Sequence, residues 1–134
     1  MRATSAVGVF ACAGLLVSCG TSASHKGARA PEQQVNDAVA LLQRDLVTRN
    51  WADLCDQVLS SQARAQAGGA DCPAFVSRGA SGLRAARIRI RSIDVNGDRA
   101  TAAVITSAAG QANVPETIEL VREGGRFRVD SLAR

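Results

Sequence analysis

Arg87-Ile88-Arg89-Ile90-Arg91-Ser92-Ile93-Asp94-Val95-Asn96-Gly97-Asp98-Arg99-Ala100 is the stretch that decides the fold. Ile88 and Ile90 alternate with three arginines, the period-two pattern of a half-buried strand. Ile93 and Val95 continue the alternation one position out of phase, which predicts a bulge near Ser92 and a bent strand. Asn96-Gly97 reads as a hairpin turn of type I′ character, and Arg99–Thr106 returns as a small, β-branched strand. Beyond a Ser107–Ala112 loop, a third strand is expected over about Glu116–Arg122. Gly124-Gly125 turns the chain into a fourth, Arg126–Leu132, where Phe127 and Val129 alternate with Arg128 and Asp130. The pattern is an antiparallel meander of about four strands.

Upstream of this stretch the period changes to 3.6. Val35, Val39, Leu42 and Leu46 form one apolar stripe, widened by Ala38 and Leu41, and predict a helix from Glu32 to about Arg49-Asn50. Pro31 and Glu32 suit its first turn, where a missing N–H costs nothing and a carboxylate meets the helix dipole. A second helix is expected from Trp51 to Ser61, with Leu54, Cys55, Val58 and Leu59 inward. Ala67-Gly68-Gly69-Ala70 breaks it. A third is expected from Cys72 to about Leu83, with Asp71 as N-cap, Pro73 at its first position, and Phe75 and Val76 inward. Helices followed by strands make the class α+β.

The 103 residues after Pro31 suffice for one core and one domain, 32–134. Trp51, Phe75 and Phe127 are the only aromatics of that span, so its core must be largely aliphatic. The whole chain has 16 basic and 12 acidic residues, but Arg2, Lys26 and Arg29 precede Glu32. From there on the balance is 13 to 12, a net of +1, which gives no ground for a nucleic-acid binder. Arg outnumbers Lys fifteen to one, a usage similar to that of high-GC bacteria such as actinobacteria.

The first 18 residues have the parts of an export signal: Arg2, then an apolar run from Ala6 to Val17. That run, about a dozen residues, falls short of the roughly 20 that cross a bilayer. Leu16-Val17-Ser18-Cys19 resembles the bacterial lipobox. The resemblance implies a diacylglyceryl group on Cys19, cleavage before it, and a membrane-anchored protein on the extracytoplasmic face. Ala11-Cys12-Ala13 has the form of an ordinary secretory cleavage site, and plain secretion is the alternative. Residues 19–31 then read as the lipidated cysteine and a spacer, small and polar, with a mean reach of about 20 Å. His25, the single histidine, falls in this spacer and reads as a solvated linker residue.

With Cys12 in the signal and Cys19 lipidated, Cys55 and Cys72 remain, and two thiols in an exported domain read as a disulfide. A metal or redox pair is the rival, without CxxC spacing or a histidine in the domain to support it.

A long first helix, Ala52-Asp53-Leu54-Cys55 running to Leu59, a second cysteine, Val95-Asn96-Gly97-Asp98-Arg99-Ala100 and the closing Leu120-Val121-Arg122-Glu123-Gly124-Gly125-Arg126-Phe127-Arg128-Val129 together resemble the NTF2-like superfamily. They are similar in particular to its small two-cysteine lipoproteins of actinobacteria. The resemblance covers about residues 32–132 and implies a curved sheet around the long helix, a cone whose open end is a pocket in many members. A cystatin-like sheet over one helix is the structural alternative.

Fold does not transfer function, so the residues must be asked directly. NTF2-like isomerases pair a carboxylate base with tyrosine and a protonated acid, and dehydratase-type members use histidines. This domain has no Tyr and no His, leaving only Asp or Glu as a base; Glu116 and Glu119 read as solvated strand carboxylates. No nucleophile elbow, P-loop or metal-ligand spacing occurs. The expectation is a non-catalytic protein without cofactor or metal that binds an apolar small molecule or lipid in the cone. Trp51, Phe75 and Phe127 are candidate pocket walls, although Trp51 at a helix junction also suits the core. An envelope protein-docking module is the alternative, and an isomerase or hydrolase the remote one. Arg87, Arg89 and Arg91 share one strand face and form a candidate surface for anionic headgroups or a wall polymer, or a plain solvated face.

Overall fold

The computed structural model of the chain describes residues 29–133, so the signal region, Cys19 and His25 lie outside the described residues. Helix α1 is Pro31–Thr48, α2 is Trp51–Asp53, α3 is Ser61–Gln66 and α4 is Cys72–Gly79. Strands β1 (Arg87–Asn96), β2 (Arg99–Ser107), β3 (Val114–Glu123) and β4 (Arg126–Ala133) form one antiparallel sheet in the order β1-β2-β3-β4. The class is α+β, as the alternation of periods predicts. Among the described residues no helix is long and apolar enough to cross a membrane.

Helix α1 buries Val35, Ala38, Val39 and Leu42 against the sheet. The opposing strand residues are Ala100, Ala102, Val104, Ile118, Leu120, Phe127 and Val129. The helix ends at Arg49, whose φ of 57° is a left-handed cap, its N–H donating to the Asp45 carbonyl.

The second expected helix is not continuous. Asn50 accepts from the Asp53 N–H, α2 makes one turn, and Leu54–Val58 widens into a π-turn. Leu59 is extended and pairs with Val129 as an isolated parallel bridge, while the Ser60 N–H donates to the Val129 carbonyl at 2.8 Å. The stretch must leave the helix to make this bridge. Ser60 then caps α3, its Oγ accepting from the Ala63 N–H at 3.0 Å. Asp71 precedes α4 but makes no side-chain cap bond, and α4 stops at Gly79, short of Leu83.

The bulge in β1 lies where the phase shift places it: Ile90 pairs with Val104 and Ser92 with Ala103, leaving Arg91 as the extra residue. A second bulge lies in β4, where Leu120 pairs with Val129 and Glu119 with Ser131, leaving Asp130 extra. The first hairpin differs from the expectation. Asn96 pairs with Arg99, and of the central residues Gly97 and Asp98 only Gly97 has a positive φ, 60°, the sign pattern of type II′. Type I′ signs occur in the second hairpin, at Gly124 and Gly125 (56° and 77°).

Candidate functional site

Helix α1 runs along the sheet from a closed end to an open one. At the closed end Arg122 joins the elements. Its N–H donates to the Asp98 carbonyl at 2.7 Å, its Nη1 to Gln34 Oε1 at 2.7 Å, and its guanidinium lies 4.2 Å from the centre of the Phe127 ring. At the other end Gln43 Oε1 accepts from the Ile88 N–H at 2.6 Å, and past this point helices and sheet diverge. The gap is a cavity of about 620 Å³, within the range of small-molecule sites. Leu42 and Leu46 from α1, Leu54 and Leu59 from the turns, and Phe75 and Val76 from α4 line one side. Ile88, Ile118 and Val129 line the sheet side.

Polar groups sit around this apolar wall. Arg87 opens β1, Thr106 and Ser107 end β2, Glu116 belongs to β3, and Asp130 and Ser131 to β4. The β4 bulge sets Asp130 in place, and the Ser60 hydroxyl donates to its Oδ1 at 2.6 Å. A carboxylate held this way gives the cavity a fixed acceptor beside its apolar wall.

Of the three aromatics expected as pocket walls, Phe75 alone lines the cavity. Trp51 packs against the main core from the first turn of α2, and Phe127 is buried at the closed end beneath Arg122. Both are corrected from pocket to core. Cys55 in the π-turn and Cys72 at the start of α4 form the expected disulfide, with Cα atoms 6.1 Å apart. It joins α4 to the turn and so frames the cavity. Arg87, Arg89 and Arg91 are all exposed on β1, and Arg87 also reaches the cavity wall. Glu119 is exposed and accepts from the Ser131 hydroxyl, whereas Glu116 is half-buried at the cavity.

A second hollow of about 510 Å³ lies over Cys55 at the β4 edge. Its charged groups are engaged with the protein itself: Arg64 with Asp56 at 2.9 Å, Glu123 with Ser61, and Arg128 with the Asp56 carbonyl at 2.8 Å. Asp45 is fully buried on α1, where its Oδ1 pairs with Arg44 and its Oδ2 has no hydrogen-bond partner among the described residues. It does not line either hollow. No group of three or more potential metal ligands occurs among the described residues.

No protein-family model and no curated protein matches the chain. Three solved structures resemble it in fold. One is an NTF2-like protein of unknown function from Shewanella baltica OS155, 15% identical, with a TM-score of 0.47 over 75% of this chain and 89% of that one. A de novo designed protein with a curved β-sheet is 14% identical, with a TM-score of 0.50 over 73% and 95%. A designed NTF2-fold protein, NT-9, is 18% identical, with a TM-score of 0.46 over 76% and 85%. The chain is α+β, its helices packed on a four-stranded antiparallel sheet that does not close, and the solved structures it is similar to include an NTF2-like protein and a designed NTF2 fold.

Proposed function

We propose that the protein is a non-catalytic envelope lipoprotein, anchored through Cys19, that holds an apolar small molecule or lipid in the open end of its sheet. The observation that carries this reading is the open aliphatic cavity between α1, α4 and the sheet. Apolar walls around a gap of this size forgo contacts that a guest of matching chemistry restores. The actinobacterial source suggested by Arg and Ala usage belongs to the same reading.

Native mass spectrometry of the chain, matured through an oxidising compartment and incubated with an envelope lipid extract, tests the ligand. A discrete non-covalent added mass is expected, and Ala63→Phe, which fills the cavity from α3, should abolish it. A bare mass in both proteins rejects the ligand, and a mass shared with another protein moves the reading to the docking module. The anchor is tested separately, by Cys19→Ser. The variant should leave the detergent fraction of cell membranes, and its retention there at the wild-type level refutes lipidation.

A further inference from the structure

The lip of the cavity has a composition of its own. Between Asp71 and Asp94 the chain carries five arginines, Arg78, Arg84, Arg87, Arg89 and Arg91, and no carboxylate side chain. All five are exposed, and the ion pairs between described residues include none of them. Three of the five stand at the cavity end of the fold, and Arg89 and Arg91 follow along β1. Arg78 lies in the last turn of α4, Arg87 opens β1 and lines the cavity, and the Arg84 carbonyl accepts from Ala109 at 2.8 Å, which ties it to the β2–β3 loop.

Apolar side chains stand among these charges. Three large hydrophobic residues are exposed among the described residues, and two of them, Phe75 (54%) and Val114 (37%), lie on this lip. Half-buried Leu83 joins them. Water is a poor partner for Phe75, and Arg78, Arg84 and Arg87 bring to this end positive charge that no ion pair among the described residues neutralises. Both costs vanish against a surface with phosphates outside and hydrocarbon beneath, where arginine pairs with phosphate and aromatic side chains sit at the boundary. The two carboxylates of the cavity, Glu116 and Asp130, come from β3 and β4, two and three strands from β1, or about 10 and 14 Å at ~4.8 Å per strand.

We propose that this lip is a docking face for an anionic phospholipid bilayer, which sets the cavity mouth against the acyl chains. Passage of a lipid into the cavity rests on the ligand reading above; the docking does not. The geometry of the tether allows it. Residue 31 lies at the closed end, α1 is about 27 Å long, and twelve residues extend to at most about 40 Å.

The test places a single indole on the lip of the full chain, as Trp51→Phe with Phe75→Trp, and adds vesicles whose acyl chains carry bromine. Circular dichroism and an intact Cys55–Cys72 bond report that the variants fold. In phosphatidylglycerol vesicles the indole emission should shift to the blue and be quenched. Both changes should be absent in phosphatidylcholine vesicles and reversed by molar salt. With Arg84→Gln, Arg87→Gln and Arg89→Gln combined, vesicle concentration for half-maximal quenching should rise about a hundredfold. A reporter at the closed end, Arg126→Trp in the same Trp51→Phe background, should stay unquenched. No quenching of the lip, equal quenching at both ends, equal response to the two lipids, or photocrosslinking from position 75 to a protein instead of lipid overturns the proposal. A chain that retains a lipid mass but is not quenched overturns docking alone. One that is quenched with an empty cavity overturns the ligand reading alone.

Discussion

The same helix and the same four strands make a filled core at one end and a cavity at the other. At the closed end the sheet offers Ala100 and Ala102, both essentially inaccessible, so α1 approaches closely through Val35 and Val39. Arg122, Asp98, Gln34 and Phe127 then clamp helix and hairpins together. At the mouth Leu42 still packs into the core, whereas Leu46, one turn further along α1, is only half-buried and borders the gap. Bulges at Arg91 and Asp130 bend the outer strands, and the Cys55–Cys72 bond holds α4 on the far side. Hydrophobic patterning therefore says which face is turned inward, and the curvature of the sheet says whether that face is filled.

The widest separation between the two ends should appear in paired truncations. Leu120→Ala, in the filled core, should cost about 3–4 kcal/mol, whereas Leu46→Ala, which borders existing empty space, should cost about 1 kcal/mol, by urea unfolding monitored through Trp51. Equal costs break the comparison. Next comes the covalent frame of the mouth. Cys55→Ser with Cys72→Ser should lower stability by about 3 kcal/mol for the 17-residue separation, and retention of the proposed ligand should fall further than in any closed-end variant of equal stability.

Ser60→Ala sharpens the contrast from the β4 bulge. Loss of the α3 cap and of the bond to Asp130 should cost about 1 kcal/mol and speed amide exchange in α3 while leaving Ala100–Val104 unchanged. The smallest effect lies on the exposed face of α1. A hydrogen bond from Gln33, then one from Arg29, holds the Asp37 carboxyl below the usual carboxylate range. A lowered folded-state value adds stability above the ordinary aspartate range and loses it as pH falls through the folded value. Asp37→Asn should therefore lower the melting temperature by about 1 °C or less at neutral pH and not at all in strong acid, by calorimetry.

Much of the fold was legible in the chain because two periods are written into it. The bulge at Arg91 follows from the step between Ile88, Ile90 and Ile93, Val95. The bulge at Asp130 has the same signal, Phe127 and Val129 followed by Leu132, and reading it there would have singled out Asp130 as a fixed acceptor at the site. The break at Leu59-Ser60 had no such mark, because the bridge to Val129 that stops the helix joins residues 70 apart. Trp51 and Phe127 were ambiguous for a related reason. A large aromatic carries the same inward signal whether it faces a core or a cavity.

The chain by itself determined the α+β class, the strand order, the pairing of Cys55 with Cys72 and the helix face that turns inward. These depend on local period, turn residues and cysteine count, all of which are properties of neighbouring positions. Only the tertiary structure decided that the inward face is fully covered at Val35 and half-covered at Leu46, that Phe75 stands at an opening, and that Arg84 and Arg87 stand near its rim. Empty space belongs to the curvature of the sheet and the reach of distant elements, which no single stretch of residues records.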